Sequence, residues 1–249
     1  MVKILYKKSY QLNSFKLIKY DDLWGKKGIF TTIRILGSKP KFILLNNHLK
    51  NMNLGLNKLS IKFVITEKIV LELLKPALNK ISNQDSLLRI AINSSTISIS
   101  LRQRIKPDKI FFAILHEYQR SIPNLKNLYY RKINKLLNSI NLQKKEIILH
   151  HKGFLLEGCT TNIFCVRNKK IYIPKNNFYK GVTMTYLLQH SQYEIIKSNI
   201  LLNNLHNYEE IILTGSGKGV VNLSSIPQID WKFQSDLVYK EFLNLYKKI

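Results

Sequence analysis

Five short stretches hold residues whose types could do chemistry. Lys126 follows Pro123 in PNLKNLYY, where a polar stretch gives way to a predicted helix. A lysine amine that loses its proton is both nucleophile and base. Glu157 comes 31 residues later, in LLEGCTTNIF, flanked by apolar residues and followed by Gly158. It reads as a buried carboxylate with a charge to hold, or as a strand-end glutamate facing water. Gly181-Val182-Thr183 opens a predicted helix behind a proline-containing loop. Free N–H groups and the helix dipole there bind phosphate, with the Thr183 hydroxyl as a further donor, or the three residues simply cap the helix. Thr214-Gly215-Ser216, in LTGSGKG, is a second phosphate contact or a tight turn. Arg34 closes FTTIR, Phe30 to Arg34; its guanidinium grips a carboxylate bidentately or lies in solvent on an edge strand.

The elements that must position these residues begin with strands. Val2–Tyr6, Phe15–Ile18, Ile29–Leu36 and Phe42–Leu45 read as short strands with turn residues between them. Leu49, Met52, Leu56 and Leu59 recur at helical spacing. A second helix follows Thr66 as N-cap, and Pro76 ends or kinks it. Ser86–Ile92, Thr96–Leu101 and Ile110–His116 read as three more strands, with clean period-two alternation in TISISL. This predicts an α+β unit on an antiparallel sheet over residues 1–118, a polar linker at 119–124, and a larger second domain at 125–249. In the latter the pattern predicts a helix at about 127–140 and strands at 146–150, 154–157, 162–166 and 171–173. A helix from Val182, a strand at 194–197, a short helix at 203–208 and strands at 210–214 and 219–223 follow. A last amphipathic helix buries Val238, Phe242 and Leu245.

Composition narrows the class. The chain of 249 residues is long enough for a sizeable core and two small domains. The net charge is +25; of the 40 basic residues seven are arginine and 33 lysine. The lysines are spread along the whole chain. A nucleic-acid binder concentrates charge on one element, with arginines and aromatics to read phosphates and bases. The even spread reads as a solvated basic surface, whose field would draw in a small anionic substrate. No stretch approaches the ~20 apolar residues of a membrane span, and MVKILYKKSY makes a poor signal peptide. Cys159 and Cys165 provide no disulfide framework or metal site and fit a reducing cytoplasm.

Taken together, the ordered set Lys126, Glu157-Gly158-x-Thr160-x-Asn162-x-Phe164, Gly181-Val182-Thr183 and Thr214-Gly215-Ser216 resembles the class IV aminotransferase family of pyridoxal phosphate enzymes. Within it the chain is most similar to the aminodeoxychorismate lyase branch. The resemblance implies a two-domain D-amino-acid/branched-chain aminotransferase-like α/β (α+β) fold, a homodimer with its active site between the domains, and pyridoxal 5'-phosphate as cofactor. It makes Lys126 the Schiff-base lysine and Glu157 the partner of the pyridine nitrogen. Val182, Thr183 and Ser216 become the phosphate contacts, and Thr32 and Arg34 the substrate side. Asn162 is expected to brace its loop, and Tyr129 and Tyr130 to pack. Thr31-Thr32 stands where the transaminases commonly have Glu-Gly or Glu-Thr, which favours conversion of 4-amino-4-deoxychorismate to 4-aminobenzoate and pyruvate in folate synthesis. A branched-chain or D-amino-acid transaminase is the alternative, and a basic nucleic-acid-binding protein on a degenerate enzyme fold the third reading.

The chain also departs from the family pattern. Lys26-Lys27-Gly28 stands for Gly-Asp-Gly, and Asn93-Ser94-Ser95 for a glycine-rich loop. Met184 stands for the arginine after Gly-Ile-Thr. His48-Leu49-Lys50-Asn51 lacks the arginine that holds the cofactor phosphate, a contact worth about 1.5–3 kcal/mol unless another lysine supplies it.

Overall fold

The computed structural model describes residues 3–37, 39–80 and 85–249; Val2, in the first expected strand, lies outside them. In chain order the strands are β1 (Ile4–Gln11), β2 (Leu17–Ile18), β3 (Ile29–Leu36), β4 (Lys41–Phe42), β5 (Ser86–Ile92), β6 (Thr96–Gln103), β7 (Phe112–Glu117), β8 (Lys145–His151) and β9 (Phe154–Gly158). They continue with β10 (Asn162–Arg167), β11 (Lys170–Pro174), β12 (Ile195–Ser198), β13 (Glu210–Gly215), β14 (Gly219–Asn222), β15 (Ser225–Ile226) and β16 (Trp231–Lys232). The helices are α1 (Leu45–Lys58), α2 (Glu67–Leu74), α3 (Arg131–Asn138), α4 (Val182–His190) and α5 (Leu237–Lys247). The chain groups into two compact units, Met1–Arg104 with Leu125–Lys132, and Ile105–Asn124 with Ile133–Ile249. This grouping differs from a first domain ending at 118. The strand expected at Ile110–His116 pairs in parallel with β8, in register Phe112↔Lys145 to Glu117↔His150, and so belongs to the second unit.

The first unit is built on a six-stranded sheet in the order β2-β1-β6-β5-β3-β4, antiparallel throughout. Period-two alternation splits β3 between two faces. Ile29, Thr31, Ile33 and Ile35 are buried, and α1 lies against this strand with Leu49, Met52 and Leu56 buried at helical spacing. Thr66 caps α2 as expected, its Oγ1 accepting from the Ile69 N–H at 3.3 Å. The helix stops at Leu74, and a 3-10 turn containing Pro76 follows. The Asn93 side chain makes the β5–β6 turn, accepting from the N–H groups of Ser95 and Thr96 at 2.9 and 2.7 Å. That does by an Asx turn what a glycine-rich loop would do by backbone freedom.

His48 of α1 is buried and shares a 2.8 Å hydrogen bond between its Nδ1 and the Thr31 hydroxyl. Burial, helped by the charge of Lys126, lowers its pKa from 6.5 to about 3. The unfolded chain therefore takes up this proton at a pH where the folded one does not. Stability contributed by the neutral ring is full above 6.5 and falls as pH drops towards 3. His48→Gln should flatten the stability–pH profile across that window in urea titrations; an unchanged slope would assign it to other groups.

The second unit contains two five-stranded sheets, β16-β15-β7-β8-β9 and β12-β11-β10-β13-β14. The apolar run of β10 is buried on both faces. Ile163 and Cys165 pack with Phe111, Ile148 and Leu213, while Phe164 and Val166 pack with Met184, Leu187 and Phe242 of α4 and α5. Met184 is fully buried in that second cluster, so its position is a core position that has no room for a solvated cation. Glu210, buried at the start of β13, accepts from the Val238 and Tyr239 N–H groups and fixes the N-terminus of α5. That helix buries Val238, Phe242 and Tyr246, with Leu245 packed at the edge of the cluster. Both cysteines are buried free thiols, and burial raises both pKa values. Among the described residues no helix is long and apolar enough to cross a membrane, and no cluster of three or more His, Cys, Asp or Glu could hold a metal.

Candidate active site

Glu157 lies at the end of β9, opposite Leu149 of β8, and is 2% exposed. The carboxylate is buried because β9 is covered on both sides, and it meets a cation there. Arg120 Nε donates to Oε1 at 2.8 Å and Arg120 Nη2 pairs with Oε2, with Arg120 itself buried. The Tyr179 N–H adds a third donor to Oε2 at 3.3 Å. A bidentate guanidinium fork fixes the plane of a carboxylate as well as its charge. Arg120 comes from the polar stretch read as a linker. Its signal in the sequence was scarcity: it is one of seven arginines in a lysine-rich chain.

From Glu157 the chain turns through Gly158–Thr161 into β10, and Asn162 at the start of β10 ties three segments together. Its Nδ2 donates to the Tyr179 carbonyl, its Oδ1 accepts from the Gly181 N–H at 2.9 Å, and its backbone pairs with Thr214. Gly181 is the N-cap of α4, with no side-chain cap and no acidic residue in the first turn. A Cβ at Gly181 would sit 2.6 Å from Asn162 Oδ1, and one at Gly215 would sit 2.9 Å from the Thr160 carbonyl. Only glycine permits these approaches. The buried hydroxyls of Thr161 and Thr214 have no hydrogen-bond partner. A helix first turn without an acidic residue, two unsatisfied hydroxyls and two close-packed glycines around Asn162 make a cradle suited to a phosphate group. Val182 and Thr183 are buried in the first turn of α4, and the partly exposed Ser216 follows Gly215 in the turn after β13. Asn162→Ala would leave the Gly181 N–H without its side-chain acceptor. It should cost about 1–3 kcal/mol in urea unfolding, and a loss below experimental error would remove Asn162 as the brace.

Lys126 lies in the first unit. It precedes α3 rather than opening it, because the segment around it is extended. The Phe30 N–H donates to the Lys126 carbonyl at 2.9 Å, the Leu128 N–H to the Gly28 carbonyl at 3.0 Å, and the Tyr129 N–H to Asn127 Oδ1 at 3.0 Å. With these backbone groups taken by β3 and an Asx turn, the helix begins only at Arg131. Lys126 Nζ stands 5.3 Å from the Phe30 ring centroid. Phe30 and Thr32 share one face of β3, and Arg89 is paired directly across from Thr32. The Arg89 guanidinium lies 3.7 Å over the Trp24 ring, which stacks in turn on Tyr130. Arg89 Nε is buried with no hydrogen-bond partner, and desolvation lowers the pKa to about 10. Tyr130 packs as expected; Tyr129 is exposed.

Arg34 shares the Thr32 face, but its fork already holds a carboxylate. Nε and Nη2 donate to Asp85 Oδ1 and Oδ2, both at 2.8 Å, and Arg104 joins at 2.8 Å. The expected substrate grip by Arg34 therefore meets an internal ion pair, while Arg89 keeps an unsatisfied donor. Lys50 is exposed on α1 and Asn51 half-buried. Glu157, Val182, Thr183 and Ser216 thus lie in the second unit, and Lys126, Thr32 and Arg34 in the first.

The chain resembles known proteins in family pattern, in sequence and in fold. A family model, Amino-transferase class IV, matches residues 28–226. The chain is 28% identical over 111 residues to a probable branched-chain-amino-acid aminotransferase of Rickettsia typhi; the match covers 41% of this chain and 38% of that relative's length. It is 21% identical over 252 residues to the aminodeoxychorismate lyase of Bacillus subtilis, covering 89% of this chain and 85% of the relative. Its fold matches a hypothetical aminotransferase from Mycobacterium tuberculosis, in its PLP-bound form, at a TM-score of 0.73 and 13% identity, over 97% of this chain and 98% of that one.

Proposed function

Because the chain belongs to the amino-transferase class IV family, we propose that it is a pyridoxal phosphate enzyme that converts 4-amino-4-deoxychorismate to 4-aminobenzoate and pyruvate. The observation that carries the reaction is the near full-length match to a lyase, against a match of little more than a third of a transaminase's length. The cradle around Asn162 supports the cofactor, since its unsatisfied hydroxyls and the acid-free first turn of α4 suit a phosphate ester. Val182, Thr183 and Ser216 would hold that phosphate.

When bound, pyridoxal phosphate supplies an aldehyde for covalent attachment and a ring that withdraws electrons. Lys126 Nζ would hold it covalently. Its free amine would take the proton from the ring carbon that bears the substrate's amine. Glu157, its carboxylate gripped by the Arg120 fork, would hold the proton on the pyridine nitrogen. Arg89 and Thr32, neighbours on the Lys126 face, would bind a substrate carboxylate; Arg89 Nη2 donates to the Asp22 carbonyl at 2.7 Å, but unlike Arg34 it makes no ion pair with a carboxylate among the described residues. Breaking the bond between the ring carbon and the ether oxygen would release enolpyruvate and leave an aromatic amine, and a proton delivered to the enolpyruvate methylene carbon would give pyruvate. No second keto acid enters, so the Thr31-Thr32 pair needs to serve one substrate only. Of that pair only Thr32 is on the Lys126 face; Thr31 is committed to His48.

The test is a side-by-side assay with pyridoxal phosphate present. Release of fluorescent 4-aminobenzoate from 4-amino-4-deoxychorismate without added keto acid supports the lyase. Amino transfer from leucine or D-alanine to 2-oxoglutarate, with no 4-aminobenzoate formed, favours the transaminase reading that the Rickettsia relative's name suggests.

A further inference from the structure

Two buried ionic side chains stand outside this chemistry. Glu146, at the start of β8, is 0% exposed and Lys218, in the turn before β14, is 7% exposed. In a chain whose other described lysines reach the surface, burying an ammonium and a carboxylate is costly unless the pair fixes something. Lys218 Nζ donates to the Leu142 carbonyl and lies 4.8 Å from the Phe111 ring centroid, which ties the turn Gly215–Gly219 to the connection before β8. Glu146 Oε2 accepts from the Thr160 hydroxyl and Oε1 from the Ile147 N–H at 3.1 Å; the Cys159 N–H also donates to the Ile147 carbonyl at 2.8 Å. These contacts tie the turn Gly158–Thr161 to the same place. Where the two turns meet, the Thr160 carbonyl leaves no room for a side chain at Gly215. Burial raises the Glu146 pKa, opposed by the charge of Lys218 and the Thr160 hydroxyl.

We propose that Lys218 and Glu146 are positioning residues for the phosphate end of the site. They anchor both turns to one short segment, Leu142–Glu146, and so set where Ser216, Thr214 and Thr161 present their hydroxyls. Neither residue is assigned a contact with the ligand. The inference rests on the cofactor reading above and concerns the cradle alone.

The experiment compares ligand-free wild type, Lys218→Met, Lys218→Arg and Glu146→Gln for equilibrium binding of pyridoxal phosphate and of pyridoxal, which has no phosphate. Lys218→Met should weaken pyridoxal phosphate about tenfold and leave pyridoxal within about twofold, with Lys218→Arg recovering part of the loss. Equal losses for the two ligands would mean general destabilisation and overturn the proposal, as would no loss at all. If Lys218→Met does not fold, Glu146→Gln must show the same phosphate-selective loss, and its absence overturns the proposal. Wild type that binds pyridoxal but gains nothing from the phosphate also overturns it. Wild type that binds neither removes the cofactor reading itself.

Discussion

Arg120→Met should destabilise the protein by about 3–5 kcal/mol, the cost of leaving a buried carboxylate without its cation. Glu157 and Arg120 have side chains only 3% and 8% exposed, so water cannot replace the guanidinium without opening the fold. The Tyr179 N–H remains as a donor, but one neutral hydrogen bond does not balance the charge. Lysine at 120 should restore only part of the loss, since a point charge cannot donate along both carboxylate oxygens. The informative variant is Arg120→Met with Glu157→Gln, which removes both charges. It should regain most of the stability in urea unfolding while remaining inactive, because the neutral amide cannot hold a proton on the pyridine nitrogen. Recovered activity in the double variant would mean that Glu157 is structural only.

Lys126→Ala should behave in the opposite way. The fold should survive, because the segment is held by backbone bonds from Phe30 and to Gly28 that the substitution leaves intact. The contact with the Phe30 ring is worth about 0.5–1 kcal/mol, and stability should fall by no more than that. Activity should fall by about 10³-fold or more, as when a nucleophile that is also the base is removed. A variant with a few per cent of wild-type activity would place the chemistry on another residue.

The strands and helices were largely legible in the chain because binary pattern and local breakers agree there. Ile29–Leu36 and Ser86–Ile92 form as read, Thr66 caps α2, and α4 starts at Val182. What the pattern could not carry was pairing between distant segments. The strand at 112–117 looks like a continuation of the first sheet, and only its parallel register with β8 moves it to the second unit. Lys126 sits beside an amphipathic pattern that invites a helix, but pairing with β3 takes the backbone groups that a helix would need. The charged side chains were the least legible. Arg34 and Arg89 occupy neighbouring strands of one sheet, and nothing in their local sequence says that Asp85 pairs with the first while the second stacks on Trp24. Arg120 sat in a stretch whose polarity suggested solvent, yet it is buried against Glu157.

The central claim, covalent pyridoxal phosphate on Lys126, meets its most direct test in a protein with 33 lysines to choose from. The protein is incubated with pyridoxal phosphate, dialysed, reduced with borohydride, digested and read by mass spectrometry, with Lys126→Ala alongside. The account predicts one phosphopyridoxyl group per chain, on the peptide containing Lys126, and none at stoichiometric level in the variant. Label spread over many lysines, or equally present in Lys126→Ala, would contradict it.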